Sequence, residues 1–267
     1  GAASSRRYSL GSAVRTDWTV TTNEPAHVAD LLGAQGRITA LVGGGGKTTL
    51  LQALGAHLGR RAILTTTTRM AATEVGGARL LLGPSLDDLA EAADDDDPRP
   101  ILVWSRIIDT SSGDSKGLGV DTSVPAKWLA LVDHVLVEAD GSRGHPAKAP
   151  APHEPSLPTG PTDVVAVMGA NALNRVIADQ CHRPLRLAAA VQCSPYERLT
   201  PERAAVLLTS PGGARRSVPD DADFSIAITM VDETNRSLVD HLIAEISDRE
   251  PGTPIHRFHT QRVGDPE

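Results

Sequence analysis

The chain has 267 residues with 26 Lys and Arg against 33 Asp and Glu, a formal net charge of −7 and a pI of about 5.7. It lacks a long basic block, which argues against a dedicated nucleic-acid binder, because tracking phosphates takes clustered cations. Apolar residues make up 40% and aromatics only 3%, so the core is expected to be built from Ala, Val, Leu and Ile, as suits helices covering a parallel sheet. The longest apolar stretches, Val164–Ala170 and Ile226–Val231, fall well short of the ~20 residues that cross a bilayer, so no membrane contact is expected.

In chain order, residues 1–22 have no apolar signal-peptide core and are expected to be a disordered tail. A single domain is expected over 23–267. Arg37–Val42 (RITALV) reads as a strand, followed by Gly43, Gly44, Gly45 and Gly46, then Lys47, Thr48 and Thr49. Leu50, Leu51, Leu54 and Leu58 then recur at helical spacing until Gly59 stops the helix. A second strand, Ala62–Thr66, follows at once. A strand, a helix and a strand within thirty residues form a βαβ unit, which dictates parallel pairing and a right-handed crossover. Further strands are expected at Arg79–Leu82, Ile101–Trp104, Val135–Glu138, Val164–Val167, Phe224–Met230 and Ile255–Phe258. Helices alternate with them: Ser85 with Asp88 opens one, Thr200-Pro201-Glu202 opens another, and Leu238, Leu242 and Ile246 stripe a third. The expected architecture is α/β, a three-layer P-loop NTPase-like fold with a mostly parallel sheet flanked by helices.

Two segments break the rhythm. The Asp94–Asp97 run before Pro98 reads as a solvated loop. Residues 146–161 hold six prolines, so neither a helix nor an inner strand is expected there. That stretch is either a linker or a rigid loop lying across a site.

The glycine run carries the strongest chemical signal. Amides of such a loop converge on phosphate oxygens only where no Cβ blocks the approach, and the following helix points its positive end at the same anion. Lys47 would reach the β- and γ-phosphates, and the Thr48 hydroxyl would coordinate Mg²⁺. The longer G-x-x-x-x-G-K-[ST] pattern wants glycine where this chain has Leu41, so the match is to the shorter G-x-x-G-K-T form. Val135-Leu136-Val137-Glu138, with Asp140 two residues on, resembles a Walker B strand. A carboxylate at the carboxyl end of such a strand shares the crevice with the loop, where it can face Mg²⁺ or orient a nucleophile. Whether Glu138 or Asp140 does so is open at this point. Thr65–Thr68 followed by Arg69 closes the second strand; the threonines are either β-formers or a further metal ligand, with Arg69 neutralising phosphate charge. Cys181 and Cys193 do not look like a disulfide framework, and a reduced, cytoplasmic setting is expected. No zinc spacing is present.

The blocks VGGGGKTTLL, LTTTTRM, VLVEADGSRGHPAKAP with HEPSLP, and CHRP occur in this order. Together they resemble the YqeC family, the selenium-dependent molybdenum hydroxylase accessory proteins, also described as selenium cofactor biosynthesis proteins. The similarity runs from about Ala26 to Glu245. It implies a P-loop NTPase fold and a role in maturing molybdenum hydroxylases by installing selenium or sulfur on the cofactor. Partners would then be a nucleoside triphosphate and the molybdenum cofactor or a hydroxylase. By the same resemblance Gly43–Thr49 would bind nucleotide, with Thr67, Arg69, Glu138 and Asp140 around the phosphates. Lys148, His153, Glu154, His182 and Arg183 would face a second substrate. Relatives can carry N-K-x-D after the late strand, a pattern that reads guanine. This chain has Thr229-Met230-Val231-Asp232, so only Asp232 remains to meet a base, and ATP is expected ahead of GTP. Two other readings stay open: an ATP-dependent ligase or kinase with a Mur-ligase-like loop, and a nucleotide-gated cofactor carrier that does not hydrolyse.

Overall fold

The computed structural model describes residues 8–12, 18–22, 31–32, 35–160 and 162–262. The first half of the chain runs β1 (Tyr8–Ser12), β2 (Trp18–Thr22), β3 (Ile38–Gly43), α1 (Lys47–Leu58), β4 (Ala62–Thr66), β5 (Arg69–Ala71), β6 (Arg79–Leu82), α2 (Leu86–Asp94), β7 (Ile101–Trp104), β8 (Arg106–Asp109), β9 (Ser115–Leu118), α3 (Pro125–Trp128) and β10 (His134–Glu138). The second half runs β11 (Ala147–Lys148), β12 (Thr162–Gly169), α4 (Ile177–Gln180), β13 (Cys181–His182), α5 (Pro184–Ala190), α6 (Pro201–Thr209), β14 (Phe224–Val231), α7 (Arg236–Arg249) and β15 (Ile255–Arg262).

Ten strands make one sheet in the order β1-β2-β15-β14-β12-β3-β10-β4-β7-β6. The eight from β15 to β6 are parallel. Helices cover both faces, which gives the expected three-layer α/β architecture. Strands buried on both faces must be apolar at every position, and alternate residues divide between the two helical layers. Leu41, Leu64, Leu136 and Val165 pack with Leu50, Leu51 and Leu54 of α1. On the opposite face, Ala40, Val164, Ala166 and Ile226 pack with Leu207 of α6 and Val239, Leu242 and Ile246 of α7. Further along that face, Ile63, Ile101, Val135 and Val137 meet Leu89 of α2 and Trp128 of α3. Each fully buried Leu removes enough apolar surface to contribute about 2 kcal/mol.

The expected caps are present. Ser85 and Asp88 close a reciprocal capping box at α2, and the Thr200 hydroxyl accepts from the Arg203 amide ahead of Pro201 in α6. Asp94 ends α2, and the rest of the acidic run is a loop whose Asp95 and Asp97 pair with Arg79 and Arg99.

Three features depart from expectation. Residues 8–12 and 18–22, in the stretch expected to be a tail, form strands: β2 pairs antiparallel with β15, and β1 with β2. The edge of a sheet offers a row of free backbone donors and acceptors that a passing segment can take up; residues 1–7 and 13–17 lie outside the described residues. A small antiparallel sheet, β5-β9-β8, follows β4, made of segments too short to show an alternating pattern. Inside the proline-rich stretch, β11 pairs in parallel with β13 over two residues, the most that the flanking Pro146 and Pro150 leave room for.

Among the described residues no helix is long and apolar enough to cross a membrane.

Candidate functional site at the glycine loop

The chain leaves β3 toward β4 on one side and later returns to β12 on the other. Where successive connections diverge in this way, a crevice opens at the carboxyl ends of the strands. The glycine loop occupies it. Gly43 and Gly46 have φ of 101° and 91°, left-handed values that cost glycine least. Gly44 is fixed by crowding instead: a Cβ there would lie 2.1 Å from the Pro146 carbonyl oxygen.

The loop amides divide into two sets. The Gly43 N–H donates to both carboxylate oxygens of Asp140 at 3.0 Å, Gly44 N–H donates to the Val167 carbonyl at 2.6 Å, and Gly45 N–H donates to the Pro146 carbonyl at 3.1 Å. Those of Gly46, Lys47, Thr48 and Thr49 have no acceptor among the described residues. The second set opens α1, where the first amides of any helix lack an intrahelical partner and carry the positive end of its dipole. Of the stretch 43–49, only the amides of 46–49 are thus left without a protein acceptor.

Lys47 is buried, with its side chain only 2% exposed. Its Nζ donates to the Gly43 and Gly44 carbonyls at 2.8 and 3.0 Å and lies 3.3 Å from Asp140 Oδ1. On the other side of the helix start, the Thr48 hydroxyl donates to Glu138 Oε2 at 2.8 Å. Burial pushes the Glu138 carboxyl up to about 7, against the opposing pull of Lys47 and Thr48. The two acidic residues are therefore not equivalent. Both Asp140 oxygens are taken up by the Gly43 amide and by the two lysines Lys47 and Lys148, whereas Glu138 has a single side-chain hydrogen bond, from Thr48.

The proline-rich segment lies across this site. The Pro146 carbonyl accepts from both Gly45 and Gly169 amides, and an ion chain runs away from the loop beneath it. Lys148 Nζ, fully buried, reaches Asp140 Oδ2 at 2.9 Å and Glu154 Oε2 at 2.8 Å, and donates to the Gly141 carbonyl at 2.7 Å. Arg183 grips both Glu154 oxygens at 2.6 and 3.0 Å. Burial alone would raise the Glu154 carboxyl, but Arg183 and Lys148 outweigh it and hold the group at about 2. His182 stacks on His145 with ring centroids 5.9 Å apart. Burial, followed by the charges of Arg183, Lys148 and Arg143, keeps its imidazole down at about 4.

Four of the residues expected to face a second substrate, Lys148, Glu154, His182 and Arg183, are thus brought together, while His153 is exposed and apart from the ion chain. Thr67 donates its hydroxyl to the Ser156 carbonyl at 2.6 Å, and its amide to the Glu138 carbonyl at 3.2 Å; it joins the strap to the strand and does not contact Glu138's carboxylate. Arg69 is exposed on β5. One Asp232 oxygen accepts from the Thr234 amide and hydroxyl and the Asn235 amide, ordering the turn into α7. Cys181 is a buried free thiol pushed up to about 12 by burial, which keeps it un-ionised and unreactive.

The sequence did not point to the carbonyl acceptors of Pro146 and Val167, or to Thr229, whose hydroxyl donates to the Gly45 carbonyl at 3.0 Å. Backbone acceptors leave no residue-type signature, although Pro146 sits within the GHPAKAP block. A cleft lined by Gly43, Gly44, Asp140, Lys148, Leu207 and Ala214 lies beneath the loop. It is too small for a substrate.

Fold and crevice together define an α/β protein with a parallel sheet, P-loop-like in its layers, with a glycine loop between its central strand and first helix. The YqeC protein family model matches residues 39–185. The chain belongs to the YqeC family. The uncharacterized protein YqeC of Escherichia coli (strain K12) is 33% identical over 203 residues, which is 73% of this chain and 77% of that protein. No solved structure matches the chain.

Proposed function

We propose that this protein is a Mg²⁺-dependent P-loop nucleotide-binding protein, an ATPase in first choice, that acts in maturing the cofactor of molybdenum hydroxylases. One observation carries the nucleotide reading: the Thr48 hydroxyl rests on the Glu138 carboxylate at 2.8 Å, directly beside loop and helix amides with no protein acceptor. An anion accepting from the amides of 46–49 would have Lys47 within the same loop. The oxygen donors Thr48 and Glu138 fit a hard cation such as Mg²⁺, and Asp140, saturated by its cationic partners, does not. When held there by Thr48 and Glu138, that ion would offset the charge of the phosphates.

This chain's own residues have separate parts. The free amides and Lys47 position the phosphates. Asp140 holds Lys47 and the Gly43 amide, and so fixes the loop. Glu138, buried and near neutral in its ionisation, is the group able to take a proton from an attacking nucleophile or to hold it through a hydrogen bond. Preorganised electrostatics of this kind supply most of the catalysis in phosphoryl transfer. The service to molybdenum hydroxylases, with selenium or sulfur as the installed atom, is supported by family resemblance. Asp232 as a contact to the base, Thr67 as a metal ligand and Arg69 as a neutralising cation keep lesser places: Asp232 is engaged in its own turn, the Thr67 hydroxyl is spent on the Ser156 carbonyl and Arg69 is exposed.

The nucleotide-gated carrier is a second reading, favoured by the engagement of Lys47 with the Gly43 and Gly44 carbonyls, which phosphates must compete against. A binding panel of ATP, GTP and their diphosphates with and without Mg²⁺, read beside phosphate release, separates the two. Tight Mg²⁺-dependent ATP binding with turnover that is lost in Lys47→Ala supports the ATPase; tight binding without turnover supports the carrier. Absence of binding to any nucleotide overturns both.

A further inference from the structure

We infer that the face formed by Arg143, His145 and His182 beside the glycine loop seats an oxyanion group, a phosphate or its like, of a second substrate. This deepens the nucleotide reading and rests on it for the identity of the neighbouring ligand. Four observations converge on that face.

The first is placement. His145 and Pro146 press directly on the loop: a Cβ on Gly45 would lie 3.1 Å from Pro146 Cα and 3.2 Å from the His145 carbonyl oxygen. A ligand against the His145 ring is therefore a neighbour of anything held by the loop amides. The second is how the two rings are fixed. β11 and β13 pair in register Lys148 with His182, and His145 Nδ1 lies 3.3 Å from the Gln180 carbonyl. In the tautomer that donates to that carbonyl, Nε2 is an acceptor, so His145 would meet a protonated oxygen of the group, while His182 and Arg143 supply N–H donors. The stacked rings are half-buried, and His182 makes no hydrogen bond through its ring nitrogens among the described residues.

The third is charge. Lys47, Lys148 and Arg183 are faced by Asp140 and Glu154, with Glu138 also bearing on Lys47. The unmatched cation is Arg143: it is exposed, close enough to bear electrostatically on His182, and without a carboxylate partner among the described residues. A surplus cation at a partly dry site is costly unless an anion arrives. The fourth is the shape of the loop. Arg143 and Gly144 both have positive φ, 52° and 78°, and the His145 amide donates back to the Ser142 carbonyl at 3.0 Å, a turn that brings Arg143 to the same side as His182. The Arg143 guanidinium and the His182 N–H on one face suit an oxyanion.

The test uses the full chain, inorganic phosphate as the probe, and the imidazole ¹H–¹⁵N resonances of His145 and His182 as the readout. Phosphate should move both rings saturably, while chloride at matched ionic strength should not. Arg143→Ala, which breaks no contact in the structure, should weaken the apparent phosphate affinity at least fivefold. The response should persist in Lys47→Ala and in wild-type protein already saturated with MgADP. Rings that do not move, or that move only while the glycine loop is vacant, would overturn the inference. The nucleotide reading fails by a different sign, namely Thr48 and Thr49 amide resonances that stay still on addition of MgATP.

Discussion

Lys148 Nζ sits 2.9 Å from Asp140 Oδ2 while Lys47 Nζ sits 3.3 Å from Oδ1 of the same carboxylate. One buried anion thus serves two buried ammonium groups, one in the glycine loop and one in the strap that crosses it. Removing the shared partner leaves both cations poorly compensated in a dry setting.

Asp140→Asn is therefore expected to destabilise the fold by about 3 kcal/mol, the lower part of the range for breaking a buried pair from one side. Urea denaturation midpoints measure it. A loss under about 1 kcal/mol would show that the ion chain is not held as described.

Gly44→Ala brings a methyl to within 2.1 Å of the Pro146 carbonyl oxygen, whereas Gly77 has nothing within 4 Å of its would-be Cβ. Overpacking of this kind costs about 1–3 kcal/mol. Gly44→Ala should lower the thermal midpoint and abolish nucleotide binding. Gly77→Ala should change neither.

His182 sets a pH window. Its folded imidazole titrates at about 4 against an ordinary value of 6.5. Between those values the unfolded chain binds a proton that the folded chain refuses, so stability falls as pH drops through that window and is regained above it. Denaturation midpoints taken from pH 7 to pH 4.5 should decline less steeply in His182→Gln than in wild type. Parallel slopes would contradict this account of the imidazole's surroundings.

Glu138→Gln and Thr48→Ala should each leave metal-free ATP binding close to wild type while weakening the Mg²⁺ enhancement about 10–100-fold, the usual effect of losing a group that orients a metal's shell. Calorimetric titration with and without Mg²⁺ distinguishes them from Lys47→Ala, which should lose binding in both conditions.

Most of the sheet was legible because its inner strands carry short runs rich in apolar and β-branched residues: β3, β4, β7, β10, β12 and β14 fall on the segments expected from such runs, and edge strand β6 and the start of β15 carry shorter ones. The capping signals at Ser85 and Thr200 were legible for the same reason, since each is a local hydrogen bond between near neighbours. The small sheet of β5, β8 and β9 was not, because its strands, RMA, RIID and SKGL, mix charged and small residues with apolar ones and offer no apolar run. At the site, Gly43–Thr49 and Glu138 declared themselves by residue type. The division of labour between Glu138 and Asp140 did not, because it depends on which lysines reach which oxygen, and Lys148 comes to Asp140 only through the course of the proline strap. Arg143 and His145 lay in a quoted block, yet only the pairing of β11 with β13 shows that their neighbour is His182.

The neighbours of β3 have a consequence for how the protein is made. Its two partners are β10 and β12, each roughly a hundred residues downstream, and contacts so distant in sequence form late and slowly. A nascent chain that has emerged only through α1 carries the whole GGGGKTT stretch but neither the Val167 nor the Pro146 carbonyl that receives its amides. The cradle is thus complete only once β12 lies beside β3, and an amino-terminal fragment ending before β12 would hold the motif without the Val167 carbonyl that receives the Gly44 amide.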